Sequence, residues 1–333
     1  MTEPRPRTPV LAITLGDPRG IGPEVAAAAL RSLAGAAAAR FLCIGPEGGL
    51  AAGARADRAA DAAPPEGVEL VTVGRWAGGG DREAGLLSAA AIERGVELAL
   101  AGTVDGLVTA PISKAALAAA GYGFPGHTEM LRALTGVPDV TMVMASETTP
   151  LGGPLRLALV TVHVPLREVP GLLTVELVAR RAATAARGLR DWWGIGRPRL
   201  AFAGVNPHAS EGGLFGDEEE RVLRPAMERL RAEEDVVASG PFPADTVFRR
   251  CIAGDVDAVV VPYHDVGLAV LKTLAPESGI NVTTGLPFPR TSPDHGTAFD
   301  IAGRGIADPR SMVAAIEACL RFCARRPGEP ALR

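Results

Sequence analysis

Histidine and cysteine are scarce in this chain of 333 residues: five of the first and four of the second. Cys43, Cys251, Cys319 and Cys323 show no CxxC spacing and no framework of pairs, which argues against a disulfide scaffold. Cys319 and Cys323, four apart on an expected helix, read as packing residues or ordinary reduced thiols. Positive charge is not in excess either, since 34 Lys and Arg stand against 38 Asp and Glu for a net charge of −4. Without a sustained basic stripe the chain is not expected to bind nucleic acid, although a few basic side chains focused in a cleft would suit an anionic substrate. Long apolar runs are missing too. The Ala-rich stretch near 25–45 is interrupted by Arg31 and Arg40, and VLAITLG close to the N-terminus is too brief for a signal segment. No membrane partner is therefore expected, and the chain reads as cytoplasmic. Internal repeats and long Pro/Gly-rich linkers are absent, so two lobes would be interleaved in sequence rather than strung in series.

What is present is a globular composition, 47% hydrophobic and 22% charged, on a chain too long for one simple core. Near-continuous hydrophobic runs predict strands over 10–16, 40–45, 68–73, 105–110, 140–146, 155–163, 199–205, 257–263 and 280–284. Helical patterns lie between them, over 23–39, 84–101, 112–120, 128–135, 174–193, 217–233, 244–253 and 308–325. Such alternation argues for an α/β fold with a largely parallel sheet covered on both faces. GDPRGIGPEV at 16–25 follows the first strand and opens a helix, but its glycines do not have GxGxxG spacing. It reads either as an anion-binding helix start or as a plain tight turn.

Three of the five histidines occupy matching places: His163 closes LRLALVTVH, His208 follows LAFAGV, and His264 follows VVVPY. Ligands of open parallel sheets gather outside the carboxyl ends of the strands. Three imidazoles delivered there would form either a shared divalent-metal site with open positions or three hydrogen-bonded structural histidines. His127 lies in GHTEML, where it either precedes an N-cap at Thr128 or joins Thr128 in contacting a ligand at the helix start. His295, in a loop dense in Thr, Ser, Asp and Gly, reads as a supporting hydrogen-bonding residue. Lys272, Asn281 and Arg290 follow His264 in a region poor in charge, and Lys with Arg is the chemistry that a phosphate or carboxylate requires.

These segments, in order, resemble the 4-hydroxythreonine-4-phosphate dehydrogenase family of vitamin B6 biosynthesis and its paralogues. The resemblance covers roughly residues 10–325, through ITLGDPRGIGPEV, TAPISKAAL, GHTEML, TVHVPL, NPHASEGGLFGDEE, GPFPADTVF, PYHDVGLAVLK and INVTTGLPFPRTSPDHGTAFDIAG. It implies a two-domain α/β/α fold like that of isocitrate and isopropylmalate dehydrogenases, with a cleft between the domains. The expected division is 1–125 plus 285–333 for the first domain and 126–284 for the second, which would carry the metal ligands and a dimer interface. It further implies metal ligation by His163, His208 and His264, substrate contacts at His127, Thr128, Lys272, Asn281 and Arg290, and NAD or NADP bound without the usual fingerprint. A homodimer with its active site at the interface, metal ligands being drawn from both chains, is implied as well. Two positions depart from the family's usual pattern, Val266 standing where Gln is common and Ala269 where Pro is.

The implied chemistry is metal-assisted oxidation of the secondary alcohol of a small phosphorylated hydroxy acid. A cation such as Zn, Mg, Co or Mn would lower the alcohol's pKa so that hydride can leave to NAD(P)+. The resulting β-keto acid would then lose carbon dioxide. Asp245 and Asp265 are candidates for proton transfer or for orienting a ligand histidine, against helix capping by Asp245 and simple solvation of Asp265. TAPISK and FDIAGRGIAD look as much like paralogues acting on D-threonate or D-erythronate 4-phosphate, and a further relative oxidises a cis-diol dicarboxylate.

Overall fold

A computed structural model describes residues 8–35, 38–56 and 67–325. The chain divides into two compact units. One comprises the described residues within Met1–Gly136 and Leu286–Ala324; the other comprises those within Val137–Gly285, with Arg325. Against the expected division at 126, the first unit keeps the helix that carries His127. That helix ends where Gly136 turns left-handed at φ 68°, a conformation glycine adopts without a Cβ clash.

The first unit runs β1 (Val10–Thr14), α1 (Gly22–Leu33), β2 (Arg40–Gly45), α2 (Gly49–Ala56), β3 (Val68–Thr72), α3 (Asp81–Leu100), β4 (Gly106–Thr109), α4 (Lys114–Ala119) and α5 (His127–Thr135). It resumes after the second unit with β11 (Arg290–Pro293) and α11 (Arg310–Cys323). Its strands lie in the order β3-β2-β1-β4-β11, every pair parallel. VLAIT of β1 is buried at all five positions, with no alternation, as a parallel strand covered on both faces must be. Short helices start on side-chain caps where the sequence supplies them: Ser113 Oγ accepts from Ala116 N at 3.2 Å to open α4.

The second unit contains β5 (Thr141–Ser146), β6 (Leu155–Leu159), α6 (Val169–Leu172), α7 (Val175–Asp191), β7 (Arg199–Ala203), α8 (Arg224–Glu233), β8 (Val237–Phe242), α9 (Ala244–Ile252), β9 (Ala258–Val261), α10 (His264–Leu274) and β10 (Ile280–Thr284). A π-helical turn, Glu219–Leu223, leads into α8. The strand order is β10-β5-β6-β9-β7-β8, antiparallel at β10/β5 and β5/β6 and parallel from β6 onward. Leu157 and Leu159 of β6, Val259 and Val261 of β9, Phe248 of α9 and Leu271 of α10 pack into one core cluster. Truncating Leu159 to Ala would cost about 2–5 kcal/mol.

Five elements lie outside the predicted set: β8, β11, α2, α6 and α10. The expected strand over 155–163 is regular only to Leu159, opposite Val261, the last residue of its parallel partner β9. His264, expected just after a strand, lies three residues beyond the end of β9 and is also the first residue of α10. No helix among the described residues is long and apolar enough to cross a membrane.

Candidate active site

The loop after β1 shows why a dinucleotide fingerprint failed to match while glycine was still required. A Cβ on Gly16 (φ 73°) would stand 2.2 Å from Pro111 O, and one on Gly22 would stand 2.3 Å from Leu15 O. These glycines serve close backbone packing. Beside this loop lies a cavity of about 390 Å³, with Arg19, Glu24, Glu47, Trp76 and Gly303 among its lining residues. Arg19 is held rigidly: its Nε and Nη2 donate to the buried Asp17 at 2.9 and 2.7 Å, it pairs with Asp81, and its guanidinium lies 5.1 Å from the centre of the Phe299 ring. Both carboxylate oxygens of Glu24 are buried without a hydrogen-bond partner. Burial raises that carboxyl's pKa, and the nearby amides of Gly305 and Gly303 oppose the rise.

A second locus in the first unit gathers positive charge. Arg290, expected in a loop, opens β11 and is only 1% exposed. Pairing with Leu107 of β4 fixes its backbone, and its Nη2 donates to Thr109 Oγ1 at 2.5 Å. Burial lowers the guanidinium's pKa to about 9. His127 is the first residue of α5 and Thr128 the second; the N-cap is Gly126, not Thr128, and no side chain caps this helix. The His127 Nε2 is buried with no hydrogen-bond partner. Burial first, and the Arg290 charge second, hold its imidazole well below the ordinary pKa range. An uncapped helix start beside a buried guanidinium and an unsatisfied imidazole nitrogen is suited to an anion. Lys114, which the reading of the sequence passed over, runs its stem near this helix start, its Cε 3.7 Å from where a Cβ on Gly126 would lie. Its only signal was position, five residues beyond β4, at a carboxyl strand end.

In the second unit, the parallel ladder of β6 and β9 continues past both strands. Val160 N donates to Val261 O at 3.0 Å, Thr161 N to Pro262 O at 3.3 Å, and Thr161 Oγ1 to the same carbonyl at 2.8 Å. The two chains therefore leave the sheet side by side and deliver His163 and His264 together, with ring centres 5.6 Å apart. Imidazole nitrogens about 2.1 Å from a shared zinc put ring centres on the order of 5–6 Å apart, so the pair has the spacing of two ligands. Asp265 Oδ1 lies 2.7 Å from His264 Nδ1, the arrangement in which a carboxylate accepts a hydrogen bond from Nδ1–H and leaves the Nε2 lone pair for a cation. With Tyr263, Leu166 and Val169, these groups line a cavity of about 210 Å³.

His208 is exposed and stands on a different kind of scaffold, a turn in which residues 208–212 all have positive φ, four of them bearing side chains. Left-handed backbone costs roughly 1–2 kcal/mol for each such residue. The ring lies 6.3 Å from that of Phe215. Among the described residues, no group of three or more His, Cys, Asp or Glu is arranged to hold a metal. One chain thus brings two of the three expected ligands together, and their chemistry fits a borderline divalent cation.

The remaining expected residues are dispersed. Asn281 lies in β10 opposite Met144, its Oδ1 buried without a partner. Lys272 is exposed on the last turn of α10. Asp245 is exposed on the first turn of α9, which it does not cap. His295 Nδ1 is 3.1 Å from Gly296 O.

Residues 28–319 match the family described as pyridoxal phosphate biosynthetic protein PdxA. A 4-hydroxythreonine-4-phosphate dehydrogenase from Desulfosudis oleivorans is 43% identical, over 93% of this chain and 94% of its own length. The crystal structure of 4-hydroxythreonine-4-phosphate dehydrogenase from Klebsiella pneumoniae superposes with a TM-score of 0.82 at 39% identity, covering 95% of this chain and 100% of that one. A terephthalate 1,2-cis-dihydrodiol dehydrogenase from Burkholderia xenovorans superposes with a TM-score of 0.64 at 28% identity, covering 95% and 98%.

Proposed function

The chain belongs to the PdxA family and is an oxidoreductase, and from that premise we propose that it oxidises 4-phosphooxy-L-threonine with NAD+ or NADP+. The product would be 2-amino-3-oxo-4-phosphooxybutanoate, which loses carbon dioxide to give 3-amino-2-oxopropyl phosphate on the way to vitamin B6. The observation that carries this reading is the buried Arg290 beside the partnerless Nε2 of His127. A phosphoryl group brings charge and several acceptor oxygens to donors that the fold has already withdrawn from water. Thr128 and the α5 amides add donors at the same place. Asn281 Oδ1, an acceptor awaiting a donor, suits a substrate amine or hydroxyl, and Lys272 a carboxylate.

His163, His208 and His264, drawn from one or both copies of a homodimer, would hold one divalent cation (zinc, magnesium, cobalt or manganese). Bound there, the cation supplies Lewis acidity toward the substrate hydroxyl, and NAD(P)+ supplies the hydride acceptor. Asp265 Oδ1 orients His264, which leaves Asp245 as the candidate proton acceptor. The cavity beside α1 is our candidate seat for the dinucleotide, with Trp76 for a flat base and Arg19 and the glycine-rich loop for phosphates.

The test is turnover, followed as nicotinamide absorbance at 340 nm. The purified protein would be given 4-phosphooxy-L-threonine, D-threonate 4-phosphate, D-erythronate 4-phosphate and the phosphate-free terephthalate cis-dihydrodiol, each with NAD+ and NADP+. The first substrate should give the highest kcat/KM. A threonate or erythronate phosphate ahead of it would move the chain to a paralogous role, and preference for the phosphate-free diol would overturn the phosphate assignment at Arg290.

A further inference from the structure

His208 does not hold its own position. It sits at the start of a turn whose φ values run 55°, 53°, 72°, 43° and 70° from His208 to Gly212, a conformation that side-chain-bearing residues leave unless something fixes them. Two adjacent carboxylates fix the entry to this turn: Glu218 Oε2 accepts from Asn206 Nδ2 at 2.7 Å, and Glu219 holds both that side chain and the backbone. Glu219, in the π-helical turn ahead of α8, is 1% exposed and reaches back to the segment between β7 and His208. Its Oε1 accepts from Val205 N and from Asn206 N, both at 2.8 Å, and its Oε2 accepts from Asn206 Nδ2 at 2.9 Å. Asn206 O in turn accepts from Ala209 N at 3.1 Å, which closes the turn around His208. The packing leaves no slack: a Cβ on Gly204 would lie 3.0 Å from Ala209 Cα and 3.2 Å from Glu219 Oε1.

We infer that Glu219 is the positioning residue of the cation site, setting the pose of the His208 imidazole through Asn206 without touching ligand or cation itself. This rests on the reading of His208 as a ligand. The π turn fits the assignment, because one extra residue in a helical turn re-aims the side chains around it, and such turns recur at functional sites. Supporting residues of this kind typically alter metal affinity 10–100-fold when removed.

The experiment titrates the metal-free protein with Co2+, by calorimetry and by the visible absorption of bound cobalt, and records thermal unfolding alongside. Glu219→Ala should weaken Co2+ binding about 10–100-fold. Glu219→Gln keeps an oxygen for the two backbone amides and should lose only about fivefold. In a His208→Ala background, where only the other imidazoles bind, adding Glu219→Ala should weaken Co2+ no further. Affinity within twofold of the parent in Glu219→Ala, or an equal loss with and without His208, would overturn the inference. If Glu219→Ala does not fold, Glu219→Gln and Gly204→Ala carry the same test, each loss again having to vanish without His208. Unchanged Co2+ affinity in His208→Ala alone would instead remove the ligand role on which the inference rests.

Discussion

Arg290 is walled into a strand of the first unit, while His163, His208 and His264 stand on turns and a helix start of the second, two of them exposed. The contrast follows from what each group must do. A guanidinium that is to grip an anion gains by being desolvated in advance, and the β4–β11 ladder holds it still while burial lowers its pKa to about 9. An imidazole that is to bind a cation must keep a lone pair accessible, so it is carried beyond the sheet. Its precision then has to come from neighbours such as Asp265. The first locus gathers Arg290 and His127 within one unit of a single chain. The second supplies two adjacent imidazoles and presents the third apart from them.

The strongest way to break this contrast is to remove a ligand. His264→Ala should abolish metal-dependent turnover and Co2+ binding at this site while phosphate protection of the fold persists; retained Co2+ turnover would sink the metal assignment. Arg290→Met should lower kcat/KM for a phosphorylated substrate about 10²–10³-fold, the loss expected on truncating one member of a buried charge pair. Co2+ affinity should not change, and unfolding should come no earlier, because a desolvated charge has been replaced by an apolar chain. An equal loss with a phosphate-free substrate would disconnect Arg290 from the phosphate.

A smaller effect lies in pH. The His127 imidazole is held well below its ordinary range, so on acidification the unfolded chain takes up that proton before the folded one. The contribution to stability is therefore full above about pH 6.5 and is lost as pH falls below it, by at most roughly 1.4 kcal/mol per pH unit. Urea melts across that interval should show the slope, and His127→Asn should flatten it. Inorganic phosphate should also reduce it, by favouring the protonated ring in the folded state. Smallest of the four, Trp76→Ala should raise KM for the nicotinamide cofactor about tenfold with Co2+ affinity unchanged, the effect of losing one aromatic stacking partner. An unaltered KM would move the dinucleotide elsewhere.

Most of the fold was legible because parallel strands announce themselves as unbroken apolar runs. RFLCIG over 40–45 and INVTT over 280–284 were bounded as observed. The strands that escaped are held by their neighbours rather than by composition. β11 reads RTSP and owes its state to Arg290 and Thr291 pairing with Leu107 and Val108; β8 contains Gly240 and Pro241, residues that strand interiors disfavour. α10 escaped although HDVGLAVLKTL is helical; Gly267 inside it lowers the helix propensity of so short a run. At the candidate site, the adjacency of His163 and His264 could be read from their matching positions after strands. The turn bearing His208 could not, since nothing in PHASEG marks four side-chain-bearing residues for positive φ, and a carboxylate that steadies them lies eleven residues further along.

The composition that hid β8 also shields it. β8 is the last strand on its side of the sheet, where a row of unsatisfied amides and carbonyls would invite another polypeptide to add itself. Pro241 offers no N–H to such an intruder. At the outer strand of the other unit, Glu69 of β3, paired with Arg40, sets charge along the rim. Both borders thus discourage edge-to-edge accretion, and each unit can carry buried, apolar parallel strands without exposing a template for aggregation.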